Sequence, residues 1–556
     1  MSETSWTERP ATAASGPTGA PSHRAIVSAA LAAGALTVVW RFLTFSGFNN
    51  DHYVHVAAAQ QIVLGEWPVR DFVDPAMPLM DVVHAAAWKA FGPALGVEWS
   101  VVAAGFAVGA MCTVVAAARL SGSIAVALLV ALLEIAIYPR TFGYPKVLLY
   151  AAATPIIMMA ARRFTTATVL ALASITAVAF LFRHDHGVFI GIASATALVV
   201  ASWNEGWRSG VRRSAAYVGV VGLLLLPWLA FVQVHQGLGA YIASSMSASQ
   251  GEAVGNALRE LPGLNLGEIT SDRNALTWLF YTFHLLPVAS LVVLLRREDV
   301  EAWSGETAVV AALIAMAIPV NLSFLRGQLD GRVPDAIVPA ALLGSWLLGR
   351  VMRRPPARVP ALIGAASIVM ISAWAVIRVG DVVANLAKSD LLSGPRILSQ
   401  RAADLWDRFH RRVPERDHIP SRYAGALEPF IQYVGRCTSP QDRLLVTGLF
   451  PEINVLANRG FAGGQISLRP FFHTSASDQA LTVARLRRQS VPFVVSVRPL
   501  YPELKSQMPT VFEYVEQRFE PFVHLPVPET PGVDVLIERD RRASRVDVAT
   551  GWPCFQ

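Results

Sequence analysis

Ionisable side chains are concentrated in one short stretch, Phe48 to Pro78, which directly follows the first long apolar segment of the chain. The charged residues and histidines of this stretch are Asp51, His52, His55, Glu66, Arg70, Asp71 and Asp74. Such a cluster at a membrane surface costs desolvation energy unless it meets water or a polar ligand. The stretch is therefore a candidate functional site.

Two short helices are predicted within and just beyond this stretch. Asn49 or Asn50 can cap a helix that starts at Asp51 and ends at Gly65, because Asn favours the cap position and Gly favours the end. Pro78 can open a second helix that runs through Phe91. The apolar residues of the first helix recur at helical spacing, which suits a helix lying in the membrane interface rather than spanning it.

The composition indicates a membrane protein with many spans. Of the 556 residues, 53% are hydrophobic and 16% are charged, whereas ordinary soluble domains carry about 25% charged residues. The net charge of +7 does not indicate a nucleic-acid partner, because the arginines lie mostly in short loops between apolar runs. Cys112, Cys437 and Cys554 are too few and too scattered to predict a disulfide framework or a zinc site.

The apolar runs predict about eleven transmembrane helices. Residues 1–22, rich in Ala, Thr, Ser, Gly and Pro, are expected to form a disordered cytoplasmic tail. The run at 25–45 is too long for a signal-peptide core and indicates an uncleaved first span. The other runs are 96–118, 122–138, 147–161, 166–182, 188–203, 214–234, 274–295, 305–325, 333–349 and 359–377.

Arginines predict the orientation of these spans. With the N-terminus in the cytoplasm, every second loop is rich in arginine and lies inside, as the positive-inside rule requires. These loops contain Arg119, Arg162, Arg163, Arg208, Arg212, Arg213, Arg296, Arg297 and the arginines from 350 to 358. The opposite loops mix Asp and His with cations, so the candidate site residues all fall on the outer face.

The last third of the chain differs in character from the rest. Residues 379–556 contain no run long enough to span a membrane, and short strand-like runs at 443–447, 491–497 and 533–538 alternate with helix-like segments at 478–489 and 510–518. This pattern predicts an extracytoplasmic α/β domain. The expected fold is thus mainly α, with a transmembrane domain at 23–378, its first outer loop at 47–95, and the α/β domain at 379–556.

Three motifs carry a resemblance to a known superfamily. They are Asp51-His52 after the first span, Gly65-Glu66-Trp67-Pro68, and Asp74-Pro75-Ala76-Met77-Pro78-Leu79. Together with the arrangement of spans, they resemble the GT-C membrane glycosyltransferases, in the branch of the dolichyl-phosphate-mannose protein mannosyltransferases and the bacterial lipid A aminoarabinose transferases. His52 departs from the pattern, since that branch usually has Glu there.

The resemblance implies a reaction on the outer face of an inner or plasma membrane. A polyprenyl-phosphate-linked sugar would be the donor, and a glycan, lipid or protein would be the acceptor. Asp51 matches the acid of the family and is the expected catalytic base. Its alternative role is to stabilise the N-terminus of its own helix. The leaving lipid phosphate needs fixed cations.

Cations of the outer loops are the candidates for that phosphate. Lys146 begins a span and can reach a phosphate or extend to lipid headgroups. Arg183 can pair with Asp185 or bind phosphate, and we expect the phosphate contact. Arg332 is the better anion ligand of its loop, and Arg326 can be an anchor. The full set of expected substrate-binding residues is His52, His55, Asp74, Lys146, Arg183, His184, Asp185, Arg326 and Arg332.

Two alternatives concern the metal content and the class of protein. Asp51, His52 and His55 could bind a divalent metal, but only Asp51 and His55 share a helix face, so no metal and no cofactor are expected. A lipid-linked glycan transporter would need polar residues along the spans. Many transporters also contain internal repeats, and this sequence shows none. A non-catalytic component of polysaccharide assembly, binding through the outer domain, is the other alternative.

Overall fold

In the computed structural model, the described residues are 21–256, 258, 260–296, 305–353, 359–410, 424–526 and 531–555. The expected disordered tail at 1–22 lies outside them except for its last two residues. Most of the chain up to residue 410 is helical. The helices of this part are α1 (His23–Leu43), α2 (Asn50–Val63), α3 (Pro78–Phe91), α4 (Leu95–Ser121), α5 (Ile124–Ala136), α6 (Tyr144–Arg162), α7 (Thr166–Phe182), α8 (His184–Ala201), α9 (Trp207–His235), α10 (Leu238–Asn256), α11 (Asp272–Leu295), α12 (Gly305–Leu322), α13 (Leu329–Asp335), α14 (Ile337–Met352), α15 (Val359–Val379), α16 (Val382–Lys388) and α17 (Pro395–His410).

Eight of the described helical segments are long and apolar enough to cross a membrane. A ninth is possible if α13 and α14, which meet at a bend of 53°, form one broken span. The helices α5 and α7 are apolar but shorter than 18 residues. Each of the eleven predicted runs falls on one of these helices. The mainly α, multi-span architecture is therefore confirmed, whereas the count of eleven spans stays a prediction.

The long helix α4 is the centre of the membrane part, in contact with α1, α5, α6 and α14. Its close approach to α6 depends on small residues. A Cβ added at Gly105 would lie 2.3 Å from a ring atom of Tyr144, and one at Gly109 would lie 2.9 Å from Val147. Small side chains let membrane helices approach closely enough to pack backbone against backbone.

Beyond residue 424 the described chain forms an α/β unit. Its helices are α18 (Ala424–Cys437), α19 (Glu452–Leu456), α20 (Ala476–Leu486), α21 (Tyr501–Gln507) and α22 (Pro509–Arg518). Its strands are β1 (Arg443–Val446), β2 (Gly460–Phe461), β3 (Phe493–Val497), β4 (Phe519–Leu525), β5 (Val533–Glu538), β6 (Arg545–Val546) and β7 (Pro553–Cys554). The three strands and two helices predicted from the sequence are all present.

Five of these strands form a sheet in the order β2-β1-β3-β5-β4. The strands β2 and β3 flank β1 and run parallel to it, whereas β5 runs antiparallel to β3 and β4. Apolar side chains cover both faces of the sheet, with Ile453 of α19 packed on one face and Leu486 of α20 on the other. The sequence pattern missed β2 because it has only two residues, and β4 because five of its seven residues are exposed or half-buried.

The helix α2 differs from the interfacial helix that the sequence predicted. It begins at Asn50, where the Asn49 side chain caps it by accepting a hydrogen bond from the backbone N–H of His52. It is then buried around almost its whole circumference, because α3 packs on one side of it and α19 and β2 on another. The expectation of a helix that lies in the membrane interface did not foresee this burial, in which the α/β unit covers one side of α2.

A disulfide joins Cys437 to Cys554. The expectation that the cysteines have no chemistry was therefore wrong. The two residues are separated by 117 positions, and they meet because β7 at the end of the chain packs beside α18. Cys112, in α4, is a free thiol. Disulfides persist in oxidising compartments and are rare in the cytosol.

We predict that this disulfide exists in the protein isolated from native membranes. Maleimide added to the denatured, unreduced protein should label one cysteine, Cys112, and after reduction it should label three. Reduction should also lower the melting temperature, because closing a loop of this length stabilises a fold by about 2–5 kcal/mol. In a Cys112→Ser control, the corresponding counts should be zero and two. Labelling of all three thiols before reduction would contradict both the bond and an oxidising location of this unit.

Candidate functional site

Asp51 lies in the first turn of α2 and is half-buried. Its backbone N–H donates to the Asn50 side chain at 3.0 Å. Its carboxylate makes no hydrogen bond or ion pair with any described residue. Because Asn49 already caps the helix, the capping alternative leaves Asp51 only a favourable interaction with the helix dipole. The carboxylate is thus available to a ligand.

The neighbouring His52 is fully buried in a polar network. Its Nε2 lies 2.6 Å from Oε1 of Glu98, whose other oxygen lies 2.7 Å from Nδ1 of His84. His84 Nε2 and the Tyr144 hydroxyl are 3.1 Å apart. Burial lowers the pKa of the His52 imidazole, and Glu98 opposes the shift. His52 therefore ties α2 to α4, and the structure gives it no face toward solvent for a substrate.

His55 is engaged in a similar way, with Nδ1 at 3.2 Å from Oδ1 of Asp81. Burial raises the pKa of the Asp81 carboxyl, and the contact with His55 opposes the shift. The two histidines of α2 thus face different carboxylates, and neither is close to the Asp51 carboxylate among the described contacts. A metal site built on Asp51 and His55 finds no support in this geometry, and the expected lack of a cofactor stays a prediction.

Three of the predicted cations meet in one cavity near the ends of the helices α6, α8 and α14. Lys146 of α6, Arg183 before α8 and Arg332 of α13 all line it. Asp185, Asp335, Tyr150 and His186 complete its polar wall. Its volume is about 20 Å³, which is enough for about one water molecule. Ion pairs in its wall leave the cavity nearly closed.

Carboxylates neutralise these cations in the absence of a ligand. Lys146 Nζ lies 2.9 Å from Asp335, which also pairs with Arg140 at 3.2 Å. Arg183 Nε lies 3.0 Å from Asp185. The sequence left open whether Arg183 pairs with Asp185 or binds phosphate. The structure shows the ion pair between Arg183 and Asp185 at the wall of the cavity. To bind a phosphate, Arg183 would have to exchange Asp185 for it.

The loop from 326 to 335 contributes unequally. Arg332 is buried, lines the cavity, and donates from Nε to the carbonyl oxygen of Gly327 at 2.9 Å. Arg326 does not line it but is close enough to interact electrostatically with Asp185. Of the two arginines, only Arg332 lines the cavity, and its role as an anion ligand stays a prediction.

Asp74 and His184 belong to a second, adjoining cluster. The Tyr241 hydroxyl of α10 donates to Asp74 Oδ2 at 2.5 Å and lies 3.4 Å from His184 Nε2. Asp74 Oδ1 also accepts from the backbone of Met77, and the backbone N–H of His184 donates to Ala76. These bonds fasten the first outer loop to α8 and α10. Asp74 and His184 therefore hold loops together in this structure.

The cavity and α2 are joined by a short path. The 3₁₀ turn Thr141–Gly143 contacts α2. Gly143 lies so close to Asp335 that an added Cβ would be 2.5 Å from its carboxylate. Tyr144 follows directly and ends the His52 network. The helix that carries Asp51 is thus packed against the wall of the cavity.

Several residues of this site were absent from the sequence-based set. They are Arg140, Asp335, Tyr150, His186, Tyr241, His84 and Glu98. Asp335 was not among the expected residues, although an acid in a loop close to cations can serve as their counter-ion. It pairs with Arg140 and Lys146. Nothing in the sequence marks Tyr241, because it lies in α10, 167 residues along the chain from Asp74 of the motifs.

No protein-family model matches the sequence, and no curated protein matches it. Among solved structures, the chain is similar to the crystal structure of ArnT from Cupriavidus metallidurans bound to undecaprenyl phosphate. The TM-score is 0.50 at 14% sequence identity, and the match covers 92% of this chain and 97% of that one. The chain therefore has the GT-C fold that its motifs resemble, and it is an integral membrane protein.

We predict that Asp74 makes the stability of the protein depend on pH. Burial raises the pKa of its carboxyl to about 7, although the bonds from Tyr241 and Met77 oppose the shift. The unfolded chain loses this proton near pH 4, so folding stability should fall as pH rises from about 4 to about 7. In Asp74→Asn, which keeps the shape, the drop in melting temperature from pH 5 to pH 8 should shrink by at least about 2 °C. Parallel curves for the two proteins would show that Asp74 ionises normally.

Proposed function

We propose that this protein is a membrane glycosyltransferase that moves a sugar from a polyprenyl-phosphate-linked donor to a glycan, lipid or protein acceptor on the outer face of the membrane. One observation carries the proposal. In a chain with the ArnT fold, the helix α2 carries the half-buried carboxylate of Asp51, which has no partner among the described residues. This helix contacts the Thr141–Gly143 turn, which lies beside Asp335 in the wall of the cavity lined by Lys146, Arg183 and Arg332. Those are the two parts that such a reaction needs, a base and a site for a phosphate.

In the proposed reaction, Asp51 takes the proton of the acceptor hydroxyl as its oxygen attacks the anomeric carbon of the donor. The new carbon–oxygen bond forms while the bond from that carbon to the phosphate oxygen breaks. The electron pair leaves with the polyprenyl phosphate. The cations of the cavity stabilise the negative charge that grows on this phosphate. Undecaprenyl phosphate, the ligand of the ArnT crystal structure, is the lipid with which we would test the site.

Two independent features support the outer location. The arginine-rich loops favour a cytoplasmic N-terminus and an outer position for the cavity. The disulfide between Cys437 and Cys554 favours an oxidising compartment for the α/β unit. An extracytoplasmic α/β domain at 379–556 is therefore part of the proposal, as are the boundaries of the transmembrane domain at 23–378.

We predict that Arg183→Ala and Arg332→Ala weaken binding of undecaprenyl phosphate in nanodiscs by about 10- to 100-fold. Loss of one hydrogen bond to a charged group is worth about 1.5–3 kcal/mol. Arg70→Ala is the matched control, because Arg70 also pairs with a neighbouring aspartate, Asp71, but in the exposed part of the first outer loop. Its affinity should equal that of the wild type. Unchanged affinity in folded Arg183 and Arg332 variants would remove the cavity from the donor site.

We predict that Asp51→Asn lowers turnover by about 10²- to 10⁴-fold, the usual range for the loss of a general base. Binding of undecaprenyl phosphate should be nearly unchanged, because Asp51 does not line the cavity. The assay uses a panel of labelled undecaprenyl-phosphate hexoses and pentoses, with the glycan extract of cells lacking this protein as the acceptor. Asp71→Asn, another acid of the same loop, is the control and should keep full turnover. Full turnover by a stable Asp51→Asn protein would reject Asp51 as the base.

A further inference from the structure

Polar side chains line the contact between α2 and the α/β unit, and most of them are paired. The pairs are Asn50 with the carbonyl oxygen of Leu449, Gln60 with Asn458, Gln61 with the backbone of Phe461, and Glu66 with Arg443. They run in order along α2, from its first turn to just beyond its end. The segment from Leu449 to Phe461 therefore lies alongside the helix that carries Asp51.

Glu452 has no such pair in this contact, and neither does Asn454 of the same helix, whose buried side-chain atoms also lack a partner among the described residues. The side chain of Glu452 has no exposed surface, and neither carboxylate oxygen has a hydrogen-bond partner among the described residues. It begins α19, which packs against α2, and it is close enough to Tyr53 to interact with it electrostatically. Burial raises the pKa of Glu452 to about 7, which favours the neutral carboxyl over the more costly buried carboxylate. Even a neutral carboxyl loses free energy when it is buried without a partner, so its presence here needs a reason.

The position of Glu452 relative to the five-stranded sheet gives an independent indication of that reason. The connection from β1 to β2 runs through α19 on one face, and the connection from β2 to β3 runs through α20 on the other. Because β2 and β3 flank β1 on opposite sides, the carboxyl end of β1 is the topological switch point of the parallel strands. Ligands of open α/β sheets bind in the crevice at this point. In this chain, Leu449 lies just beyond the carboxyl end of β1. Its carbonyl oxygen accepts a hydrogen bond from the side chain of Asn50, the residue before Asp51.

We propose that Glu452 binds a hydroxyl group of the saccharide that accepts the sugar, so that the α/β unit completes the site of Asp51. The inference rests on the proposed function. A carboxyl accepts a hydrogen bond from a hydroxyl, and in its protonated form it also donates one, which suits the hydroxyl groups of a carbohydrate. The cavity lies on another side of α2, where this helix contacts Thr141–Gly143 rather than α19. The donor would therefore reach Asp51 from the side of Thr141–Gly143, and the acceptor would reach it from the side of α19. Since Glu452 is covered in this structure, α2 and α19 must separate locally to admit the acceptor.

Two substitutions and one control test this inference on the full-length protein. Glu452→Gln should raise the apparent KM for the glycan extract of cells lacking this protein by about tenfold or more, with undecaprenyl phosphate binding unchanged. Glu452→Leu should abolish transfer and yet raise the melting temperature, because it removes an unpartnered buried polar group. Glu66→Gln makes the same chemical change as Glu452→Gln at the other end of the contact, where Glu66 pairs with Arg443. It should lower the melting temperature and leave turnover per folded molecule unchanged.

The outcomes separate this inference from the function on which it rests. If wild-type protein transfers no sugar from any donor of the panel, the proposed function and the role of Glu452 fall together. If the wild type is active and both Glu452 variants keep its acceptor KM, only the role of Glu452 is rejected. Loss of thermal stability in both Glu452 variants, with normal turnover per folded molecule, would show that Glu452 has a purely structural role.

Discussion

Ionisable side chains that are buried at the ends of the spans need partners of opposite charge within the protein, and the candidate site depends on this constraint. Asp335 is 1% exposed and accepts from both Lys146 and Arg140. Ion pairs on a protein surface contribute about 0–1 kcal/mol, whereas removing one partner of a buried pair costs about 3–5 kcal/mol. Asp335 therefore fixes the position of α13 relative to α6. Glu98, fully buried between His52 and His84, does the same for α2, α3 and α4.

The same constraint shapes how a phosphate would bind. Lys146 pairs with Asp335, and Arg183 pairs with Asp185. These ion pairs hold both cations in place before a ligand arrives. Such preorganisation lowers the entropy cost of binding. An incoming phosphate must also compete with Asp185 and Asp335, so its affinity depends on how well its charge replaces theirs.

Local signals in the sequence predicted much of the fold, but few of the contacts within the site. Apolar runs located the membrane helices, and Asn49 and Pro78 marked helix starts to within one residue, because caps and proline act within one turn. The partners of the predicted cations could not be found in this way. Asp335 is 189 residues from Lys146, and their pairing depends on how helices pack rather than on any local pattern. The burial of α2 and the disulfide at Cys437 were missed for the same reason, since both depend on contacts between distant parts of the chain. The α/β unit covers α2, and Cys437 meets Cys554, 117 residues away, where β7 packs beside α18.

That return contact has a consequence for Asp51. A helix of 14 residues such as α2 is marginal on its own in water, so tertiary contacts must fix its position. Near its start, the Phe48 and His52 rings stack with centroids 4.2 Å apart. Farther along, Gln61 accepts from the backbone N–H of Phe461, 400 residues away in the chain. The α/β unit therefore holds the helix that carries Asp51 from the side opposite α3 and α4. A change that loosens this unit would move the Asp51 carboxylate relative to the cavity, even though none of the residues that line the cavity belongs to the unit.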